Sequence, residues 1–159
     1  MADIAKKDSR REPLFTNSSP YGNLSVLSFS VETTSGVVND GDKTTAAVSG
    51  DVVIAGVIPA GAKLIDSVAI ISAAFTALTT VDIGFRYVDG EDDTDVPEDS
   101  DYFADGADGA TAARLRNATA NATVVLPKDA YLIVTLLDVT QAATSKLEFE
   151  LLAELKGGE

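Results

Sequence analysis

The sequence contains no cysteine, no histidine and no tryptophan, and only twelve of its 159 residues are lysine or arginine. Without cysteine the chain can form no disulfide and no thiolate-ligated zinc site. Without histidine it lacks the commonest general base and the usual ligand of transition metals. No Ser-x-x-Lys or Gly-x-Ser-x-Gly pattern replaces these groups. A pair of catalytic carboxylates remains conceivable, but one of the two would need an apolar pocket, and the acidic side chains crowd into a Gly-, Thr- and Pro-rich segment that is expected to be solvated. We therefore expect no enzyme activity, no cofactor, no metal and no small-molecule substrate.

The shortage of basic side chains leaves a net charge of -13. Phosphate binding needs clustered lysine and arginine, so this balance argues against nucleic acid and against anionic membrane as partners. The chain has no run of eighteen uncharged apolar residues, and its first residues, MADIAKKDSRREPLF, lack the apolar stretch of a signal peptide. We expect neither a nucleic-acid nor a membrane partner.

What the chain does have is apolar material in short alternating runs, with 45% hydrophobic residues overall. Leu27, Phe29 and Val31 alternate with polar residues, which is typical of a strand with one buried face. The last such run, residues 146–155, also fits a helical stripe, but its charged residues fall on one face of a strand. About eight such runs, separated by Gly, Pro and Asp turns, predict an all-β sandwich or barrel.

The organisation along the chain follows from these runs. Residues 1–23 have little apolar periodicity and are predicted to form an extended N-terminal arm, while residues 24–159 are predicted to form one sandwich domain. Pro59-Ala60-Gly61 predicts a tight connection between two strands. The run ATAARLR at residues 110–116 has local helical propensity but is too short to be stable unaided.

The alternating apolar positions also predict a set of core residues. These candidates are the residues that point inward if each run is a strand: Val52, Ile54, Ile65, Val68, Ile70, Ile83, Phe85, Val125, Ile133, Leu147 and Phe149.

An acidic stretch, VDGEDDTDVPEDSDYFADGADG, runs from Val88 to Gly109 and holds ten acidic side chains. Tested as an EF-hand loop starting at Asp89, it places Thr94 where the sharp turn needs Gly, and Ser100 where a bidentate Glu is needed. A start at Asp101 fails as well. Because like charges repel, we expect a solvated, extended loop tip. A calcium site built from two loops stays open.

Several motifs resemble those of the small decoration, or cement, proteins of tailed-bacteriophage heads. The similarity lies in VIPAGAKLIDSVAIISAAFTALTTVDIGFRYVDG followed by DSDYFADGADGATAARLR. It comprises a Pro-Ala-Gly-Ala turn at residues 59–62, the strand end Asp-Ile-Gly at 82–84, the aromatic pair Tyr102-Phe103 and the Asp-Gly-Ala-Asp run at 105–108. The acidic tip EDDTDVPE is longer than this pattern needs.

This resemblance implies a jelly-roll-like β-sandwich that binds the outer surface of the assembled phage head as a homo-oligomer. Such a protein bridges subunits of the major capsid protein and stabilises the shell, and it needs no catalytic group. The implied location is the exterior of the virion capsid, after synthesis in the host cytoplasm.

Candidate contact residues for that role lie in two places. In the arm, basic side chains are predicted to reach an acidic neighbour and three apolar side chains to act as anchors: Lys6, Lys7, Arg10, Arg11, Leu14, Phe15 and Tyr21. In the acidic stretch, the candidates are Tyr102 and Phe103. Two adjacent aromatic side chains in a polar loop are not expected to be both exposed to solvent, so they are predicted to contact a partner protein. The alternative is that one of them closes the end of the sandwich.

Two other functions remain open on the sequence. A tail-associated or fibre-base virion protein could show the same pattern of strands. A calcium- or carbohydrate-binding β-sandwich module could do so too, although such modules usually present exposed aromatic platforms, and this chain has four tyrosines and no tryptophan.

Overall fold

Ten β-strands and no helix make up the residues that the structure, a computed structural model, describes: 3–5, 24–117 and 119–155. The strands are β1 (Asp3–Ala5), β2 (Leu24–Thr34), β3 (Val37–Val38), β4 (Asp51–Ile58), β5 (Ala62–Ala73), β6 (Thr80–Tyr87), β7 (Asp99–Asp108), β8 (Ala113–Arg116), β9 (Ala130–Leu137) and β10 (Ser145–Leu155).

The strands form two five-stranded sheets. Sheet 1 has the order β1-β4-β9-β6-β7, and sheet 2 has the order β3-β2-β10-β5-β8. Eight strands make nested antiparallel pairs, in which β2 pairs with β10, β4 with β9, β5 with β8 and β6 with β7. This is one long hairpin folded over itself, which is the topology of a jelly roll. The all-β, jelly-roll-like sandwich expected from the sequence is confirmed.

Alternation along the strands explains how the core forms between the sheets. In β10, Leu147, Phe149 and Leu151 are buried, while Glu148 and Glu150 face outward. Phe149 lies opposite Phe29 of β2 in the antiparallel register. The strand interpretation of this segment is therefore confirmed over the helical one. Since side chains alternate across a strand, one slip of register would turn all these residues to solvent.

The connection at Pro59-Ala60-Gly61 carries the chain from β4 in sheet 1 to β5 in sheet 2, as the sequence predicts. Gly61 has a φ of +77°, a backbone conformation that residues with a Cβ rarely adopt. The Ala60 N–H donates to the Asp129 carboxylate at 2.8 Å, and the Gly61 N–H donates to the Leu126 carbonyl oxygen at 2.8 Å. The turn is thus fixed by residues far along the chain.

The first described residues belong to sheet 1. Strand β1 runs parallel to β4, with Ile4 opposite Val53, and the Ile4 side chain is fully buried. The rest of the predicted arm, residues 6–23, lies outside the described residues.

Some of the predicted core residues point outward instead. Ile65 and Val125 are each 38% exposed, and Val68 and Ile70 are only half-buried. Strand β5 is apolar on both faces, so alternation alone does not say which face is inside. Leu64, Ala69 and Ile71 take the inner positions, and the prediction had the opposite phase. The short run with helical propensity is also not a helix: residues 113–116 form the edge strand β8, paired with β5.

Candidate assembly surfaces

The described residues offer little for metal or membrane chemistry. In residues 3–5, 24–117 and 119–155, no group of three or more acidic side chains is placed to hold a metal ion. No helix in this part of the chain is long and apolar enough to span a membrane.

The acidic loop between β6 and β7 is folded back on itself, not extended as we expected. The Asp93 carboxylate accepts hydrogen bonds from the N–H groups of Asp95 and Val96, at 2.9 and 3.0 Å. The Asp92 carboxylate accepts one from the Glu98 N–H at 2.7 Å. These bonds to backbone N–H groups, that of Val96 foremost, lower the pKa of Asp93. Backbone donors thus offset the repulsion between neighbouring carboxylates.

Two residues outside the loop hold it in place. Lys128 donates to the Asp89 carboxylate at 3.0 Å and to the Glu91 carbonyl oxygen at 2.8 Å, and its ammonium lies 5.0 Å from the centre of the Tyr87 ring. The Tyr87 hydroxyl donates to the Val96 carbonyl oxygen. Burial is the main cause that raises the pKa of Tyr87 to about 12. These contacts hold the acidic loop in a defined conformation against the end of β6.

Tyr102 and Phe103 lie in β7 and point into the core, where they are 5% and 2% exposed. Phe103 packs edge-to-face on Phe149 with ring centres 5.1 Å apart, and Tyr102 packs on Phe85 at 5.4 Å. The Tyr102 hydroxyl donates to the Ala122 carbonyl oxygen at 2.7 Å. In the isolated chain both side chains are therefore buried in the core. A contact with a partner through them stays a prediction.

Two adjacent side chains can face inward because β7 carries extra residues. Ile83 of β6 pairs with Ala104, and Phe85, two residues on, pairs with Asp99, five residues back along β7. The three additional residues of β7 form a bulge that interrupts the alternation.

The contact residues predicted in the arm lie outside the described residues. They are Lys6, Lys7, Arg10, Arg11, Leu14, Phe15 and Tyr21.

The outer face of sheet 2 carries an exposed apolar surface, here called the sheet 2 patch: Leu24, Val26, Ile65, Val68 and Leu152. Leu24 and Val26 are each 58% exposed and Ile65 is 38% exposed. Val26 lies opposite Leu152 in the register of β2 and β10. Val26, Val68 and Leu152 line a shallow hollow of about 180 Å³. An exposed apolar cluster on a regular sheet is typical of a surface that a partner covers.

Charged groups surround the sheet 2 patch. Arg116 of β8 forms an ion pair with Asp66, and its guanidinium lowers the pKa of that carboxyl. Lys63 lies 4.0 Å from Glu154, and the Ser28 hydroxyl donates to the Glu150 carboxylate. An apolar centre with a polar rim is the usual anatomy of a protein–protein interface. Sequence reasoning missed this patch, although a strand apolar on both faces, as β5 is, signals it.

The outer face of sheet 1 is also apolar, but it is not exposed. Val52, Ile54 and Ile133 form a cluster separate from the core and are 8%, 5% and 4% exposed. Beside them lies a hollow of about 480 Å³, here called the sheet 1 groove. Its lining combines the uncharged residues Val52, Ile133, Thr135 and Leu137 with the polar and charged residues Asp82, Arg86, Glu98 and Ser100. Burial, followed by the neighbouring carboxylates, raises the pKa of Asp82.

Gly84 lies in β6 between Asp82 and Arg86, which both line the sheet 1 groove. A Cβ at this position would lie 2.1 Å from the Asp99 carbonyl oxygen and 2.3 Å from the carbonyl carbon of Ser100. The bulged start of β7 can therefore cross the outer face of β6 only because residue 84 has no side chain.

The sequence matches no protein-family profile and no curated protein sequence. The fold, in contrast, is similar to chains in three solved phage capsids. A chain of the capsid of Ralstonia phage GP4 matches with a TM-score of 0.65 and 14% identity, over 98% of this chain and 99% of that chain. A chain of the cyanophage Pam1 capsid asymmetric unit matches with a TM-score of 0.55 and 14% identity, over 92% and 95% of the two chains.

A third similar chain comes from the acid-stable capsid structure of Helicobacter pylori bacteriophage KHP30. Its TM-score is 0.50 at 16% identity, over 83% of this chain and 89% of that chain. At these identities the likeness concerns the fold. The three matches each extend over most of both aligned chains.

A hollow of about 530 Å³ lies where the edge strands β7 and β8 leave the sandwich open. Phe103 and Leu115 give it an apolar side, and Asp101, Asp105 and Arg116 a charged one. Edge strands present unpaired N–H and C=O groups, so this side can accept further contacts.

Proposed function

We propose that this protein is a decoration, or cement, protein of a tailed-phage head. It binds the outer surface of the assembled capsid as a homo-oligomer, bridges subunits of the major capsid protein and stabilises the shell. The role is structural and involves no catalysis. The observation that carries this proposal is the end-to-end likeness of the jelly roll to small chains found in phage capsid structures.

The charge of the chain supports a place outside the shell. With a net charge of -13 the protein repels packaged nucleic acid, so a position facing the genome would be unfavourable. An acidic exterior protein meets no such cost.

The sheet 2 patch supplies the proposed contact with the shell. Leu24, Val26 and Ile65 offer apolar area that is already exposed, and burying such area is favourable by about 25 cal/mol per Å². A protein that binds the assembled lattice and not the free subunits stabilises the lattice by mass action. Small contributions from many copies then add over the whole shell.

The test is addition of purified protein to expanded capsids that lack it. We expect regular protrusions in electron micrographs and a higher melting temperature of the capsid. The variant Val26→Glu should lose both effects, because it places a charge in the contact. The control Leu78→Glu changes another exposed leucine, 78% accessible and outside the patch, and should bind as the unchanged protein does.

Failure to bind any expanded capsid would overturn the proposal. Gold-labelled antibody on intact virions separates the tail-associated alternative, since label on the tail or fibre base and not on the head would also contradict it. A melting temperature of the free protein that depends on calcium would instead favour the calcium-binding module.

A further inference from the structure

The hollow within the sheet 2 patch is too small for a free ligand and matches a single side chain. Its volume is about 180 Å³, whereas pockets that hold small-molecule ligands measure about 300 to 1,000 Å³. The aliphatic side chains of Val26, Val68 and Leu152 line it together with the acidic residues Asp66 and Glu150. At protein interfaces, pockets of this kind receive an anchor side chain of the partner.

Glu150 differs from the other acidic residues on the strands of sheet 2. Each of the other four forms an ion pair within the sheet: Glu32 and Glu148 with Lys146, Asp66 with Arg116, and Glu154 with Lys63. Glu150 forms no ion pair with the residues that the structure describes, and one of its oxygens accepts a hydrogen bond from the Ser28 hydroxyl. Its other oxygen is therefore available to a donor from a partner.

The register of the strands places this carboxylate beside the aliphatic walls of the hollow. Glu150 lies opposite Val68 of β5. Leu152, the next residue of β10 on the same face, lies opposite Val26 of β2. A side chain that enters the hollow therefore meets apolar surface along its stem and a carboxylate at its end. It must combine an apolar stem with a cationic hydrogen-bond donor.

Arginine supplies this combination more fully than lysine. Its methylene stem lies along apolar surface while its charged end stays at the rim. Its guanidinium is planar, presents paired N–H donors that match a carboxylate, and is more weakly hydrated than an ammonium group. We propose that an arginine side chain of the major capsid protein occupies the hollow, with its stem against the aliphatic walls and its guanidinium on Glu150. This inference rests on the proposed function, to which it adds the type of residue that the sheet 2 patch recognises.

Binding to expanded capsids compares Glu150→Gln with a matched control. Glu148→Gln is the same change on the same face of β10, at a carboxylate that already pairs with Lys146. Loss of the ion pair to the shell should weaken the binding of Glu150→Gln by about tenfold, while Glu148→Gln should bind as the unchanged protein does. Raising the salt concentration should weaken the binding of the unchanged protein more than that of Glu150→Gln, because the variant has one ion pair fewer to screen.

A second experiment needs no capsid and uses n-butylguanidinium as the probe. In NMR titrations of the isotope-labelled protein, this cation should shift the methyl signals of Val26, Val68 and Leu152 in a saturable way. The shifts should be much weaker with n-butylammonium, which lacks the planar head, and with the variant Glu150→Gln. They should be unchanged in Glu148→Gln.

The two experiments separate this inference from the proposed function. If the unchanged protein binds no capsid but the probe binds at Glu150, the proposed function fails while the recognition of a guanidinium group by the hollow stands. If the unchanged protein and Glu150→Gln bind capsids equally, the inference is wrong and the proposed function stands. Probe shifts that are absent, or equal in Glu150→Gln, would also overturn the inference. A loss of self-association in Glu150→Gln without a loss of capsid binding would assign the hollow to an arginine of a second copy and contradict the proposal.

Discussion

The two outer faces of the sandwich differ in solvent exposure although they are similar in residue type. Both carry branched aliphatic residues, but Ile54 of sheet 1 is 5% exposed whereas Val26 of sheet 2 is 58% exposed. The face of sheet 1 is bounded by the bulged start of β7 over Gly84, and the face of sheet 2 is open and rimmed by ion pairs. Burial of the sheet 1 face contributes to the stability of the folded chain, whereas the exposed sheet 2 face is available to bind a partner.

This difference in exposure should allow substitutions to change the stability of the free protein and its binding to capsids independently. Closing apolar area within the chain contributes to the free energy of unfolding, whereas open apolar area contributes nothing until a partner covers it. Substitutions on sheet 1 should therefore destabilise the free protein, and substitutions on the sheet 2 patch should weaken capsid binding alone.

The largest effect is expected at Gly84. In Gly84→Ala the new Cβ meets the Asp99 carbonyl oxygen, so the backbone must move, and we expect a loss of about 3 kcal/mol in the free energy of unfolding in urea. Gly90→Ala is the control, because Gly90 has open space around it, so an added Cβ meets no atom and only its positive φ of +73° opposes the change. It should cost about 1 kcal/mol. Equal costs would mean that β7 does not cross this face.

Truncation of the sheet 1 cluster is expected to be nearly as costly. Ile54→Ala removes buried methyl groups and should lower the free energy of unfolding by about 2 to 3 kcal/mol. Ile65→Ala, the same change on the outer face of sheet 2, should cost less than about 1 kcal/mol. Denaturation curves of the two variants compare the faces directly, and similar losses would remove the distinction between them.

Polar substitution within the sheet 2 patch should change stability little. Val26→Ser should shift the free energy of unfolding by less than about 0.5 kcal/mol, because the side chain is largely in solvent already. Its occupancy on capsids should nevertheless fall well below that of the unchanged protein in a pelleting assay. Full occupancy with Val26→Ser would show that the patch is not in the contact.

The smallest effect is expected at the rim. Because Arg116 lowers the pKa of Asp66 in the folded protein, the pair contributes stability above the ordinary pKa of the carboxyl and loses it as pH falls through the folded pKa. The pair is largely exposed, so Asp66→Asn should cost less than about 0.5 kcal/mol at neutral pH and nothing in acid. Thermal melts at both pH values check this, and a large loss at neutral pH would contradict it.

The fold class could be predicted because alternation is local. Leu27, Phe29 and Val31 identify a half-buried strand without knowledge of its neighbours, and the turn at Pro59-Ala60-Gly61 follows from the backbone preferences of Pro and Gly. The nested pairing of β2 with β10 is long-range, and only the family resemblance suggested it.

The surfaces could be predicted less well, for two physical reasons. Strand β5 is apolar on both faces, so its phase is decided by the bulges in its pairing with β10, which no local pattern reveals. Tyr102 and Phe103 sit in an acidic, glycine-containing segment that reads as a loop, and a three-residue bulge in β7 turns both into the core. In each case the deciding contact lies far away in the sequence.

Electron cryomicroscopy of capsids to which the purified protein has been added tests the proposed role most directly. We predict that density for the jelly roll lies on the outside of the shell with the sheet 2 patch, including Val26 and Ile65, against the capsid surface. The outer face of sheet 1 should point away from it. Density that places the sheet 1 face against the shell, or that leaves the sheet 2 patch in solvent, would show that the proposed contact surface is wrong.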